Sequence, residues 1–146
     1  MIDRVLLASD GTDAWTAAEA VVDLVAPLGS KVEVEVLHVN EVEYETPPEG
    51  SDSRDISPEP RRLVNELVSH LRDRGLTATG KIRAGRYDDV ADDIIAEAEA
   101  IGAGLIVVNW REHSRLKAFL AGSVSRGVMR RATCPVLVVR KPAPRN

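Results

Sequence analysis

The segment LIVVNWREHSRLKAFLAGSVSRGVMRRATCPVLVVR, residues 105–140, decides the fold. It opens on the apolar run Leu105 to Val108 and closes on a second, Val136 to Val139. Neither run alternates as a half-solvated strand does, so both read as β-strands covered on two faces. Between them Gly122-Ser123 precedes Val124, Val128 and Ala132 at helical spacing, which places the Gly-Ser step where a loop enters a helix. A helix entrance presents free backbone N–H groups and positive potential, a setting that suits phosphate.

The upstream chain supports this segment with the same units repeated. Arg4 to Ala8 is a compact apolar strand running into the polar turn Ser9-Asp10-Gly11-Thr12, a candidate ligand-facing loop. Ala14, Ala17, Ala18, Val21, Val22 and Val25 then mark one face of a helix that Pro27 to Gly29 ends, with Trp15 read as packing in the core or at an interface. In 31–39, Val32, Val34 and Val36 alternate with Glu33 and Glu35 before the run turns apolar apart from His38, giving a strand with a wet beginning and a buried end. Residues 40–57, NEVEYETPPEGSDSRDIS, are acidic and rich in proline and serine without a sustained period, and read as a flexible solvated loop. Ser57-Pro58 opens a second helix with Leu63, Val64, Leu67, Val68 and Leu71 along one stripe, ended by Gly75. Thr77 to Arg83 is a weaker strand that Gly80 interrupts, which suggests a sheet edge. Asp88, Asp89, Asp92 and Asp93 load the start of a third helix with negative charge, as the helix dipole favours, and read as solvated groups.

Strands alternating with helices imply right-handed crossovers and an α/β fold with one parallel sheet covered on both faces. At 146 residues without an internal repeat, the chain suits a single domain, 1–146. A net charge of −4 and 3% aromatic residues argue against a nucleic-acid partner. No stretch reaches the roughly 20 apolar residues of a membrane span or resembles a signal peptide, so a cytoplasmic location is expected. The single cysteine, Cys134, reads as a small buried residue. His38, His70 and His113 lack metal-ligand spacing, and no metal site is expected. The chain has no Gly-x4-Gly-Lys-(Ser/Thr) loop, no Gly-x-Ser-x-Gly elbow and no histidine paired with a nucleophile, so no catalytic residue is assigned and no enzyme is expected beyond slow incidental ATP hydrolysis. A phosphoacceptor receiver is excluded by Arg83-Ala84-Gly85, where its aspartate would stand.

Gly122-Ser123-Val124-Ser125 followed by Cys134-Pro135-Val136-Leu137-Val138-Val139 resembles the C-terminal signature of the universal stress protein family, and the likeness extends over nearly the whole chain. The resemblance implies a doubly wound, Rossmann-like sheet of the adenine nucleotide alpha hydrolase type, with five strands in the order 3-2-1-4-5. It puts a crevice between strands one and four, at Asp10 and Asn109. In members that bind ATP the signature is Gly-x2-Gly-x9-Gly-(Ser/Thr). Here its first two glycines fall at Asn109 and Glu112.

On this basis the candidate ATP or AMP pocket, with magnesium, comprises Asp10, Val39, Asn109, Glu112, Gly122, Ser123 and Ser125. Asp10 and Val39 would face the adenosine half, and Gly122, Ser123 and Ser125 the phosphates. Asparagine tolerates left-handed backbone better than other non-glycine residues. A carboxylate at 112 opposes a polyphosphate by about 1 to 4 kcal/mol at about 4 Å, although Arg111, Arg115 and Lys117 are close in sequence. The expected function is a stress-response regulatory module acting as a homodimer with ATP binding weak or lost. The alternative is an ATP- or AMP-binding member of the family. The resemblance places the dimer at Val136, Leu137, Val138 and Val139, an apolar sheet edge that a second copy would cover. Lys141 to Asn146 is expected to end the pairing as a disordered tail.

Overall fold

The computed structural model describes residues 2–9, 14–29, 31–41, 58–85, 90–110 and 123–140. In chain order these form β1 (Arg4–Ser9), α1 (Ala14–Val25) with a short 3₁₀ turn (Ala26–Leu28), β2 (Glu33–Glu41), α2 (Pro58–Asp73), β3 (Thr77–Gly85), α3 (Val90–Ile101), β4 (Leu105–Trp110), α4 (Ser123–Arg131) and β5 (Val136–Arg140). The expectations for the loop after Asn40 and for the tail after Arg140 lie outside the described residues.

The five strands make one sheet in the order β3-β2-β1-β4-β5, and every pairing is parallel. β1 is central because its side chains are apolar on both faces: Val5 and Leu7 enter one layer, Leu6 and Ala8 the other. Strand side chains alternate between faces, so a run covered on both sides must be apolar throughout. β4 follows the same logic, with Ile106, Val107 and Val108 all buried.

One layer joins α1 and α2 to the sheet through Ala14, Ala17, Ala18, Val21, Leu67 and Leu71 against Val5, Leu7, Val34 and Val36. The other joins α3 and α4 through Val90, Ala91, Ile94, Ala98 and Val128 against Leu6, Ala8, Leu37 and Val39. Each fully buried leucine or valine contributes about 1.5 to 3 kcal/mol through area removed from water. α2 and α3 end alike. Leu76 N–H donates to Leu71 O at 3.0 Å and Ala103 N–H to Ala98 O at 2.8 Å, around Gly75 and Gly102, whose φ values are 84° and 66°. A left-handed glycine there satisfies the last carbonyls and turns the chain back to the sheet.

Four expectations need correction. Gly80 does not interrupt β3, which runs unbroken to Gly85 at the sheet edge; a Cβ on it would lie 2.5 Å from Val64 Cγ1, so glycine is there because α2 descends onto the strand. Of the two packing roles expected for Trp15 the core one fails, since the residue is 43% exposed; its ring meets His70 edge-on at 5.2 Å. β5 is only half-buried along Val136 to Val139, because it is an edge and lacks a neighbour on one side. Cys134 is likewise half-buried, packed against the α3/α4 layer.

Candidate functional site

The chain leaves β1 through α1 toward β2 and leaves β3 through α3 toward β4, so successive crossovers diverge between β1 and β4. That divergence opens a crevice at the carboxyl ends of the two strands, the usual ligand position in sheets of this kind. β1 ends at Ser9 and β4 at Trp110, with Ala8 paired to Val108 just below. Crossover helices return antiparallel to the strands, so α4 begins at this same end of the sheet, with Ser123 its first residue. Its positive, N-terminal end therefore lies at the crevice end of the sheet.

The sequence-based candidates divide into those the structure places and those it leaves aside. Val39 is 7% exposed and shares the α3/α4 layer with Ala8 and Val90, one residue past the Ser9–His38 register pair. It forms an apolar wall next to the rim. Asn109 is half-buried near the end of β4, paired in register with Val139 of β5. Ser125 lies in the first turn of α4 and is 2% exposed. The structure thus brings Val39, Asn109, Ser123 and Ser125 to one end of the sheet. Asp10, Glu112 and Gly122 lie outside the described residues.

His38 adds a link that the sequence did not reveal. Its Nδ1–H donates to Ser9 O at 3.0 Å in a buried setting, and since a carbonyl only accepts, this fixes the proton on Nδ1. The bond ties the tips of β1 and β2 together at the mouth of the crevice.

A second polar centre lies deeper, between α3 and the β2/β3 side of the sheet. The Glu97 carboxylate, 1% exposed on α3, accepts from Lys81 Nζ at 2.9 Å and from Arg83 Nη1 at 3.2 Å, both on β3. A hydrogen bond joins it to Glu35 on β2. Burial, helped by the Glu97 bond and charge, pushes the Glu35 carboxyl up to about 7, against the pull of Lys81. Burial also acts to raise Glu97, but the Glu35 hydrogen bond, Lys81 and Arg83 together hold it below the usual carboxylate range. Two readings are corrected here. Glu35 is not in the wet part of its strand, because α3 covers it, and Asp93 is not simply solvated, because its Oδ2 is buried without a partner. The signal that was available is the alternation itself: Glu35 shares a face with Leu37 and Val39, which enter the core.

Among the described residues no group of three or more His, Cys, Asp or Glu side chains is arranged to hold a metal ion, and no helix is long and apolar enough to cross a membrane. A groove of about 640 Å³ runs along α2 between Trp15, Arg62, Glu66 and His70. Its lining mixes both charges, with Arg61, Arg62 and His70 beside Glu66 and Asp73.

The comparisons with known proteins agree with this geometry. The model of the universal stress protein family matches residues 1–140. Universal stress protein YxiE of Bacillus subtilis is 31% identical over 153 residues, covering 96% of this chain and 100% of YxiE. Among solved structures, the hypothetical protein MJ0577 superposes with a TM-score of 0.76 at 23% identity, covering 99% of each chain. The Arabidopsis thaliana universal stress protein At3g01520, solved with AMP bound, gives a TM-score of 0.68 at 22% identity, covering 96% of this chain and 92% of its own. The two structures support the fold, whereas the family model and YxiE carry the assignment. The chain belongs to the universal stress protein family.

Proposed function

We propose that this protein is a homodimeric regulatory module that holds an adenine mononucleotide in the β1/β4 crevice and has lost most of its affinity for the triphosphate of ATP. The observation that carries this reading is the start of α4 at Ser123, immediately after Gly122, at the end of the sheet where β1 and β4 diverge. Backbone N–H groups at that entrance and the Ser125 hydroxyl suit a single phosphate, and Val39 suits the flat apolar face of a base. The residues present fit such a ligand, and AMP in the Arabidopsis relative is of the same size and chemistry.

ATP is disfavoured by sequence. Where the ATP-binding signature has glycines for close backbone approach, this chain has Asn109 and Glu112, the second adding a negative charge beside a polyphosphate. Magnesium would come with ATP as its counter-ion rather than from a protein site. The module binds and signals, and the reading includes no catalytic group. A reducing cytoplasmic setting belongs to the same reading, consistent with the lone thiol of Cys134, which burial pushes up and so keeps protonated.

The dimer forms through β5. Val136 to Val139 lie half-buried along the open edge of the sheet, and antiparallel pairing with a second copy would satisfy that edge and cover the side chains. One spectrum tests both halves of the proposal: native mass spectrometry of the chain mixed with equal AMP and ATP is expected to show a dimer whose nucleotide adduct has the mass of AMP. A monomer, or an adduct of ATP mass, would contradict it.

A further inference from the structure

The Glu35–Glu97 pair lies outside the crevice and takes no part in the function proposed above. Two carboxyl groups hydrogen-bonded to each other need a proton between them, since an ionised carboxylate only accepts. The surroundings supply a reason to keep it. Glu35 has Glu97 of α3 and Lys81 of β3 as its charged neighbours and the apolar Leu6 of β1 as its register partner, while Arg83 of β3 is taken by Glu97. Glu33, two residues earlier on β2, points to Arg4 at 3.7 Å, and Asp92 on α3 is held by Arg131 at 2.9 Å, both on exposed surface. Lys81 and Arg83 are both bonded to Glu97, and among the described residues no ion pair reaches Glu35. Glu35 Oε1 is buried without a partner, so a negative charge on Glu35 has no donor to receive it there.

We propose that the Glu35–Glu97 pair is a proton-operated latch, in which one proton shared between the two carboxyl groups seats α3 on the β2/β3 side of the sheet and its release to solvent loosens α3. The proton leaves past Lys81, whose side chain is 49% exposed. The two remaining carboxylates then repel across the helix–sheet seam. α3 carries Val90 and Ala91 in the apolar layer that also contains Val39, so the latch sets how firmly one wall next to the crevice is held. The pH range of the switch follows from the raised carboxyl of Glu35, between its ordinary value of 4.5 and about 7.

The test is amide hydrogen exchange in α3 at pH 5 and pH 8, each rate divided by that of unstructured peptide at the same pH. Protection of α3 in the wild-type chain is expected to fall by about tenfold across this range, and in Glu35→Gln, which keeps the shape and a donor but carries no ionisable group, to stay level. Equal protection at both pH values in the wild type, or an undiminished fall in Glu35→Gln, would overturn the latch. Carboxyl-carbon NMR of the unmutated chain gives an answer even where the variant does not fold: Glu35 must titrate near neutrality, and titration below pH 5 would overturn it equally.

Discussion

Replacing Gly80 with alanine tests whether α2 rests directly on β3. The added Cβ would lie 2.5 Å from Val64 Cγ1 and 3.2 Å from Val68 Cγ2, against an optimum of about 3.5 to 4.0 Å between carbon atoms. Both valines are buried, 3% and 7% exposed, and a β-branched side chain has little rotamer freedom with which to withdraw. Overpacking of this kind costs about 1 to 3 kcal/mol. Against it stands the gain of about 0.5 to 1 kcal/mol from removing a glycine within a strand. The expected net loss is about 1 kcal/mol, near the middle of the range of about 0 to 2.5 kcal/mol these figures span, or about 3 °C in Tm for a chain of this size. Thermal and urea unfolding of Gly80→Ala, Val64→Ala and the double variant form a cycle. In it the double variant is expected to be more stable than the summed losses by about 1 kcal/mol, because truncating Val64 clears the space. A Gly80→Ala protein as stable as the wild type, or strictly additive losses, would refute the close seating of α2.

Three further outcomes are expected. Asn109→Gly combined with Glu112→Gly is expected to raise ATP affinity about tenfold or more by removing a charge worth about 1 to 4 kcal/mol at about 4 Å, measured by nucleotide competition; no gain would mean that something else closes the triphosphate half. Val138→Lys is expected to sediment as a monomer and the wild-type chain as the proposed dimer, since the lysine places like charges at the centre of the proposed two-fold strand pairing. Stability is expected to fall as pH rises from 4.5 toward about 7, because folded Glu35 holds its proton where the unfolded chain has released it. Solvent access reduces the effect to about 1 to 2 kcal/mol, and urea midpoints that rise across this window would contradict the sign.

How far the sequence disclosed this molecule depends on the kind of signal each residue carried. The α1 stripe of Ala14, Ala17, Ala18, Val21, Val22 and Val25 is the very set that is buried, because a helix of small apolar residues on one face has only one way to pack. The unbroken apolar runs of β1 and β4 likewise marked strands, but the equally unbroken run of β5 is an edge, so the strand order came from the family resemblance and not from the runs. Glu97 was illegible, and Glu35 legible only through the face it shares with Leu37 and Val39, for the opposite reason. An acidic residue in an alternating strand or on a helix is ordinarily solvated, and only the tertiary approach of α3 to β2 and β3, with Lys81 and Arg83 supplied from a third element, makes burial tolerable. Gly80 misled because glycine within a strand reports either a break or a close approach, and sequence alone does not choose between them. At the crevice, periodicity located the helix entrance at Ser123, whereas the roles of Asp10, Glu112 and Gly122 rest on the family signature and lie outside the described residues.

The central claim is that the crevice favours a mononucleotide over a triphosphate, and isothermal titration calorimetry with AMP and with ATP at physiological magnesium measures it directly. Saturable AMP binding is expected, with a Kd at least about tenfold lower than that for ATP, the factor that about 1.4 kcal/mol supplies. ATP binding as tightly as AMP, or more tightly, would contradict it, as would the failure of AMP to bind.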